Sequence, residues 1–240
     1  MEIFSKSHIG NVRQNNEDSF LIEQGAIGNL PNVFGVADGM GGHKAGEVAS
    51  RECIDNFVEF VKNTKKENVI DILSEGIAYS NEEVFKKSME NSELFQMGTT
   101  FSVLTIIDNI VYCGHVGDSR IYSFINEKLK LESTDHTLVN EYVKNGIFTA
   151  EEAEISVMKN VVTRAVGVRE EIDIDTFSFE CNKGDQLLIC SDGLTTHLGD
   201  DILYEVFNSV KTMEEKVNDL VDRALNEGGI DNITIIMIKA

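Results

Sequence analysis

The sequence is poor in several residue types that mark particular classes of protein. Its 240 residues include no tryptophan, one proline and four cysteines. None of the cysteines belongs to a C-x-x-C pair, and their spacing suggests neither a disulfide framework nor a zinc site. We therefore expect buried, reduced thiols, which behave as small apolar side chains. These are Cys53, Cys113, Cys181 and Cys190.

Basic residues are scarce relative to acidic ones. The chain has 21 Lys and Arg against 41 Asp and Glu, which gives a formal charge of −20 with histidine neutral. A nucleic-acid-binding surface needs cations to neutralise phosphates, and anionic lipids attract basic segments. The composition therefore predicts no nucleic-acid partner and no membrane partner. With 42% hydrophobic residues, the chain still has enough apolar material to fold.

Long apolar runs are missing as well. No uninterrupted stretch approaches the ~20 residues that a membrane-spanning helix requires. Residues 1–6 lack the basic and apolar regions of a secretory signal. We expect a cytoplasmic protein in which residues 1–240 form a single domain.

Hydrophobic periodicity predicts an α+β layered sandwich with mostly antiparallel sheets. Apolar residues at helical spacing predict helices over 45–61, 67–87 and 212–227. The polar, glutamate-rich segment 134–160 predicts a small helical lobe or flap. Short runs rich in β-branched residues predict strands over 33–37, 99–107, 110–115, 120–125, 172–179, 186–190 and 232–238.

A subset of the acids stands next to glycine or serine, or just before an apolar pair, at the ends of apolar strands. Such a carboxylate has a fixed direction, and glycine lets backbone and solvent approach it. Oxygen ligands of this kind suit Mg²⁺ and Mn²⁺. Each Asp-Gly pair could instead be a simple turn, but the shared context favours a common cation site. The acids are Glu17, Asp18, Asp38, Asp118, Asp192 and Asp231.

One cation lies near this set in sequence. Arg13 stands four residues before Glu17, and a guanidinium can bind a phosphate through two parallel hydrogen bonds. The alternative is an ordinary surface arginine that pairs with Glu17.

Seven short motifs follow one another along the chain: RQNNED at 13–18, VADGMGGH at 36–43, GTT at 98–100, HVGDSR at 115–120, TRAVG at 163–167, SDGL at 191–194 and DNIT at 231–234. In this order they resemble the protein phosphatase 2C family of metal-dependent Ser/Thr phosphatases, and in particular its compact bacterial branch. The resemblance runs nearly from end to end. It implies a four-layer α-β-β-α sandwich, in which helix pairs flank two mostly antiparallel sheets and 134–160 forms the flap.

The resemblance also implies a centre with two Mn²⁺ or Mg²⁺ ions at one end of the sandwich. By motif position, Asp38 would bridge both ions and the backbone carbonyl of Gly39 would bind one of them. Asp192 and Asp231 would bind the other. With Asp38, these two would be the catalytic residues.

Further positions match the family more loosely. Asp18 and Glu17 would contact the ions directly or through water. Asp118, together with Asp192, would hold a third, weaker ion, and Arg13 would hold the substrate phosphate. The implied reaction is hydrolysis of phosphoserine and phosphothreonine on proteins by a metal-activated water, without a covalent phospho-enzyme. The implied biological setting is a monomer that opposes a Ser/Thr kinase.

The chain departs from the family pattern in two places. Met40 occupies a position where some members carry a histidine proposed as general acid, and methionine cannot donate a proton. Protonation of the leaving group then falls to water on the metals, or to His43 or His136. Residues 156–159 replace the His-Pro pair that commonly ends the flap in bacterial relatives.

Two other functions compete with this interpretation. A pseudophosphatase would bind phosphoproteins without hydrolysing them, but every matched ligand position is filled. A two-metal phosphodiesterase or nuclease would use similar carboxylates. The charge of −20 disfavours nucleic-acid substrates, but it does not exclude small nucleotides as substrates.

Overall fold

A computed structural model describes residues 1–41, 45–90 and 92–240, except for the side chain of Glu154. In this part of the chain the strands are β1 (Glu2–His8), β2 (Asp18–Glu23), β3 (Val33–Met40), β4 (Gly98–Thr99), β5 (Phe101–Ile107), β6 (Ile110–Val116), β7 (Arg120–Ile125), β8 (Lys128–Leu131), β9 (Asp175–Glu180), β10 (Gln186–Cys190) and β11 (Ile233–Lys239). The α-helices are α1 (Ala45–Asn63), α2 (Val69–Glu90), α3 (Leu138–Lys144), α4 (Ala150–Glu154), α5 (Asp192–Thr195), α6 (Asp200–Asn208) and α7 (Met213–Asn226).

The strands form two sheets that stack face to face. One has the order β1-β11-β10-β7-β8, and the other has the order β2-β3-β5-β6-β9, with β4 also paired to β3. Every strand pairing is antiparallel. The layer between the sheets is apolar, and its largest side chains include Phe34, Leu104, Leu187 and Ile236.

Helices cover the outer face of each sheet. α1 and α2 pack on the second sheet, while α6 and α7 pack on the first. The inward face of α1 follows helical spacing, since Ala49, Cys53, Phe57 and Val61 are all buried. Phe57 meets Phe101 of β5 edge-on, with ring centroids 5.2 Å apart. The four-layer α-β-β-α sandwich is therefore confirmed.

Several elements differ from the sequence-based expectation. The helix over 212–227 is confirmed, but the first sheet is also covered by α6, which the periodicity did not predict. β1, β2 and β8 were also not predicted. β1 is half-buried along most of its length, so its sequence lacks the regular alternation of a strand with one dry face. The strand predicted over 172–179 begins later, at Asp175.

Two further expectations concern the cysteines and membrane-spanning helices. The four cysteines are free and buried, as predicted. Within the described ranges, no helix combines the length and the apolar character needed to cross a lipid bilayer.

Candidate metal centre

The hairpin formed by β2 and β3 brings the first two acids together. Asp18 and Asp38 are register partners across these strands, and the N–H of Gly39 donates to the carbonyl of Glu17 at 3.1 Å. A side chain on Gly39 would collide with the carbonyl of Gly46 at the start of α1. Glycine therefore allows the end of β3 to pack directly against that helix.

Two threonines fix the backbone of Asp38. Its N–H donates to Oγ1 of Thr100 at 2.9 Å. Its carbonyl accepts from Oγ1 of Thr99 and from the N–H of Thr100, both at 2.9 Å. With donor and acceptor both satisfied by neighbours, the direction in which the carboxylate leaves the strand is set by the sheet.

Asp18 carries a polar atom that lacks a partner. Its Oδ2 accepts from Oγ of Ser191 at 2.8 Å. Its Oδ1 is buried and has no hydrogen-bond partner among the described residues. Buried polar atoms are nearly always paired, so an orphaned carboxylate oxygen is a position where a bound cation fits. Asp18 is one of the residues that the family resemblance assigns to the metal centre.

Asp192 and Asp231 approach from the first sheet. Asp192 opens α5 directly after β10, and Asp231 stands just before β11, which pairs with β10. A side chain on Gly193 would collide with the carbonyl of Asn232. The glycine thus permits the two segments to touch. The charge of Asp192 raises the pKa of Asp38, so these two carboxylates lie close together where the two sheets meet.

Asp118 follows β6 and is 8% exposed. Burial, followed by the charges of Asp192 and Asp135, raises its pKa to about 7. Arg120 binds Asp135 with two parallel contacts, from Nε to Oδ1 at 3.0 Å and from Nη2 to Oδ2 at 2.7 Å. This ion pair places a cation near Asp118 without contacting its carboxylate.

The acids repel one another. Burial raises the pKa of Asp18 to about 7, partly offset by the nearby hydroxyls of Thr234 and Ser191, and the charges of Asp192 and Asp231 raise it further. Burial also raises the pKa of Asp192, with the charge of Asp231 as the next cause. An all-oxygen set of this kind suits hard divalent cations. Within the described ranges, no three His, Cys, Asp or Glu side chains stand in an arrangement that could hold a metal ion by themselves.

Arg13 and Glu17 lie at the edge of this cluster. The Nη2 atom of Arg13 donates to Oδ2 of Asp231 at 2.7 Å, and its Nη1 atom lies 3.9 Å from Oε2 of Glu17. The Arg13 side chain is 46% exposed, so it can still reach a ligand. Burial raises the pKa of Glu17, although the charge of Arg13 lowers it. The structure thus brings all the predicted site residues to one end of the sandwich.

Asn232 belongs to the DNIT motif at 231–234, but the sequence alone predicts no role for it. The side chain of this buried residue ties the N-terminal loop to the site. Its Oδ1 accepts from the N–H of Glu17 at 2.8 Å, and its Nδ2 donates to the carbonyls of Ile9 at 2.8 Å and Asn15 at 3.0 Å. The signal was its position directly after Asp231, where an amide can bridge two loops.

His43 and His136 are the two side chains considered as general acids. His43 lies outside the described residues. His136 is buried, and its Nδ1 accepts from the N–H of Gly117 at 3.0 Å while its Nε2 lies 3.2 Å from Oδ2 of Asp175. Burial lowers its pKa, partly offset by Asp175. With both ring nitrogens engaged, His136 is held in place as a neutral structural residue.

Comparison with known proteins identifies the family. A model of protein phosphatase 2C matches residues 6–228. The chain belongs to the protein phosphatase 2C family. It is 35% identical over 234 residues to the serine/threonine phosphatase Stp of Listeria monocytogenes serotype 4b, covering 96% of this chain and 92% of that protein.

Solved structures of protein phosphatase 2C enzymes have the same fold. Serine/threonine phosphatase Stp1 from Staphylococcus aureus matches with a TM-score of 0.91 and 30% identity, covering 100% of this chain and 94% of that one. The catalytic domain of the phosphatase PstP, in complex with two manganese ions, matches with a TM-score of 0.84 and 30% identity over 98% of this chain and 96% of that one.

Family membership confirms the predicted activity. The chain is a metal-dependent serine/threonine protein phosphatase that acts on phosphorylated proteins. The predicted Mn²⁺ or Mg²⁺ cofactor is confirmed at the level of the family. The all-oxygen donor set and the orphaned Oδ1 of Asp18 fit such ions.

Proposed function

We propose that the acidic cluster holds two core Mn²⁺ or Mg²⁺ ions and that Asp38 bridges them. One observation carries this proposal: Asp38 is the register partner of Asp18, whose Oδ1 is buried without a partner in the described structure. In agreement, the charges of Asp18, Asp192, Asp118 and Asp231 all raise the pKa of Asp38 after burial. Asp38 is therefore the carboxylate that the other acids surround, as a bridging ligand should be. We assign the carbonyl of Gly39 to one ion, and Asp192 and Asp231 to the other.

The remaining acids take outer positions in this proposal. Asp18 contacts the ions directly or through water with its orphaned Oδ1, and Glu17 lies just beyond it. Asp118, together with Asp192, holds a third and weaker ion. Arg120 neutralises Asp135 next to Asp118. With less negative charge nearby, an ion at Asp118 is held more weakly than the two core ions.

Ions held by these residues would supply positive charge for the phosphate and a water activated for attack. Arg13 orients the phosphate. Its half-exposed guanidinium rests on Asp231 and keeps donors free for phosphate oxygens. The attacking water forms the new bond to phosphorus, the bond to the Ser or Thr oxygen breaks, and the proton released by the attacking water ends on that oxygen. Because His136 is engaged on both nitrogens, we give it no part in this proton transfer.

We expect no covalent phospho-enzyme. The thiols are the strongest potential nucleophiles in the chain, and all four are buried. Burial raises the pKa of the Cys190 thiol to about 12 and that of Cys181 to about 11. A neutral, enclosed thiol is a poor nucleophile.

We also propose the biological setting that the family resemblance implies. Residues 1–240 form one catalytic domain, a cytoplasmic monomer that opposes a Ser/Thr kinase. Segment 134–160, with α3 and α4, is the flap. The N–H of Leu138 donates to the carbonyl of Val161 at 2.8 Å. The two ends of the segment are therefore close together, and the residues between them form a loop that leaves the sandwich and returns to it.

Calorimetric titration with Mn²⁺ tests the ligand assignment. We expect the wild-type protein to bind two ions tightly, and Asp38→Asn to lose at least one of them. Asp55→Asn is the matched control, because Asp55 is an exposed residue of α1. Unchanged stoichiometry and affinity in Asp38→Asn would remove Asp38 from the centre.

Phosphoproteomics tests the kinase partnership separately. Deleting the protein should raise phosphothreonine and phosphoserine occupancy on a shared set of proteins, including one Ser/Thr kinase. The same increase should be absent when the deletion is complemented by the wild-type chain. An unchanged phosphoproteome would contradict the proposed setting while leaving the activity intact.

A further inference from the structure

A concave region lies at the end of the first sheet opposite the acidic cluster. It has a volume of about 360 Å³ and is lined where α6 ends, α7 begins, β10 starts and β11 ends. This volume falls in the range of small-molecule sites. β11 runs from Ile233, beside the acidic cluster, to Lys239 at the cavity, which is about 20 Å at ~3.3 Å per residue. The cavity is therefore separate from the metal centre.

A buried lysine lines this cavity. Lys216 is 5% exposed, and its Nζ donates to Oε1 of Gln186 at 2.8 Å and to the carbonyl of Phe207 at 2.6 Å. The second contact satisfies a carbonyl in the last turn of α6. Both acceptors are neutral, and an ammonium has three protons. One proton and the whole charge thus have no counterpart among the described residues.

The surroundings add positive charge. Burial lowers the pKa of Lys216, and the charge of Lys239 lowers it further. Lys211 also lines the cavity but is already paired with Asp219 at 2.8 Å. A buried cation that lacks a carboxylate is costly, so an anionic ligand would stabilise it.

Acids at the cavity do not supply that anion. The lining includes Glu2 and Glu127. Glu2 lies opposite Lys239 in the register of β1 and β11. Neither acid forms an ion pair with Lys216 in the described structure, and neither is among the causes of its pKa shift. Lys216 therefore has no anionic partner among the described residues that line the cavity.

We propose that this cavity binds a small oxyanion, whose oxygen atoms accept hydrogen bonds from Lys216 and Lys239. Phosphate and carboxylate groups share this chemistry. The rings of Phe124 and Phe207 form an apolar wall, with centroids 5.4 Å apart. This wall suits a small organic acid as well as a free ion. The chain as a whole repels anions because its charge is −20, whereas the two lysines make this cavity locally positive.

Amide NMR of the full-length, Mg²⁺-loaded protein tests the site. Inorganic phosphate is titrated in one series and acetate in another, at constant ionic strength. We expect saturable shifts at the amides of 209–213 and 239 with at least one anion, separate from any shifts near Arg13. The anion that binds more tightly identifies the source as phosphate or carboxylate.

Three variants make the test specific. Lys216→Met should weaken binding at least tenfold. Lys239→Met should weaken it several-fold, and because Lys239 is exposed this variant keeps the result interpretable if Lys216→Met is less stable. Lys65→Met, an exposed lysine between α1 and α2, should leave binding unchanged. Hydrolysis of an aryl phosphate should be unchanged in Lys239→Met.

The proposal fails on either of two results. One is shifts at 209–213 that do not saturate with phosphate or acetate. The other is equal affinity in the wild type and Lys239→Met, which would mean an adventitious ion only. Neither result bears on the phosphatase activity, because the cavity and the metal centre lie at opposite ends of the sheet.

Discussion

Asp18 and Asp38 occupy opposing positions on the adjacent strands β2 and β3. After burial, the charge of Asp18 is the largest cause that raises the pKa of Asp38. Ser191 holds one oxygen of Asp18, and the other oxygen is buried without a partner in the described structure. The hairpin therefore builds a site that is unfavourable as a pair of bare carboxylates and favourable once cations neutralise them.

Without metal, the protein should lose stability as the pH rises from about 5 to about 8. Asp18 and Asp118 have pKa values of about 7 in the folded state, whereas an unfolded Asp has a pKa of ~3.9. The folded state then binds more protons in this window, so the free energy of unfolding falls as the pH rises. Thermal unfolding in excess chelator measures this.

The same scan with Mn²⁺ provides the control. Bound cations stabilise the ionised carboxylates, so the decrease in Tm with pH should shrink or reverse. Asp118→Asn should flatten the decrease in the chelated protein. A metal-free Tm that stays constant or rises over this pH range would contradict the repulsion between the acids.

Arg13→Ala should raise KM for a phosphothreonine peptide. Hydrogen bonds to charged groups contribute ~1.5–3 kcal/mol, which corresponds to roughly 10–100-fold in affinity. Steady-state kinetics measures the effect, with Arg51→Ala as the control because Arg51 is an exposed residue of α1. An unchanged KM in Arg13→Ala would remove Arg13 from the phosphate site.

Asn232→Ala should destabilise the chain by about 2–4 kcal/mol, because three hydrogen bonds of a buried amide are lost. Denaturant unfolding measures the free energy. In the control, Asn63→Ala removes an exposed amide that contacts only its own helix and should change stability by less than about 0.5 kcal/mol. Equal effects in the two variants would show that Asn232 does not hold the loop to the site.

Salt should affect two matched substrates in opposite directions. A chain of charge −20 repels an acidic phosphopeptide and attracts a basic one, and salt screens charges over ~8–10 Å at physiological strength. Raising the salt from low to physiological concentration should lower KM for the acidic peptide and raise it for the basic one. Equal changes for both peptides would mean that distant charges do not influence binding.

Much of the fold could be predicted from the sequence, because its strongest signals are local. The apolar stripe of α1 and the β-branched runs of β5, β6 and β11 identify these elements directly. β1 was missed because its residues are only partly buried without alternation. β8 alternates regularly as KLKL but is only four residues long, which is the shortest run that predicts a strand. The start of β9 was predicted too early, since Ile172 packs on the core from outside the strand.

The candidate site was predictable for a different reason. Carboxylates beside glycine at strand ends can be read from sequence, and the order of the motifs groups them. The partners that position these acids could not be predicted. Ser191 reaches Asp18 from 173 residues away, and Asn232 reaches Glu17 from 215 residues away. Such contacts depend on how the two sheets stack, which no local pattern encodes.

The most direct test measures phosphate release from a phosphothreonine peptide by the purified protein. The wild type and Asp55→Asn should be active with Mn²⁺, inactive in excess chelator, and active again when Mn²⁺ is restored. Asp38→Asn should stay at the level of the uncatalysed reaction at every Mn²⁺ concentration. Full activity in chelator, or wild-type activity in Asp38→Asn, would contradict a mechanism built on cations held by the acidic cluster.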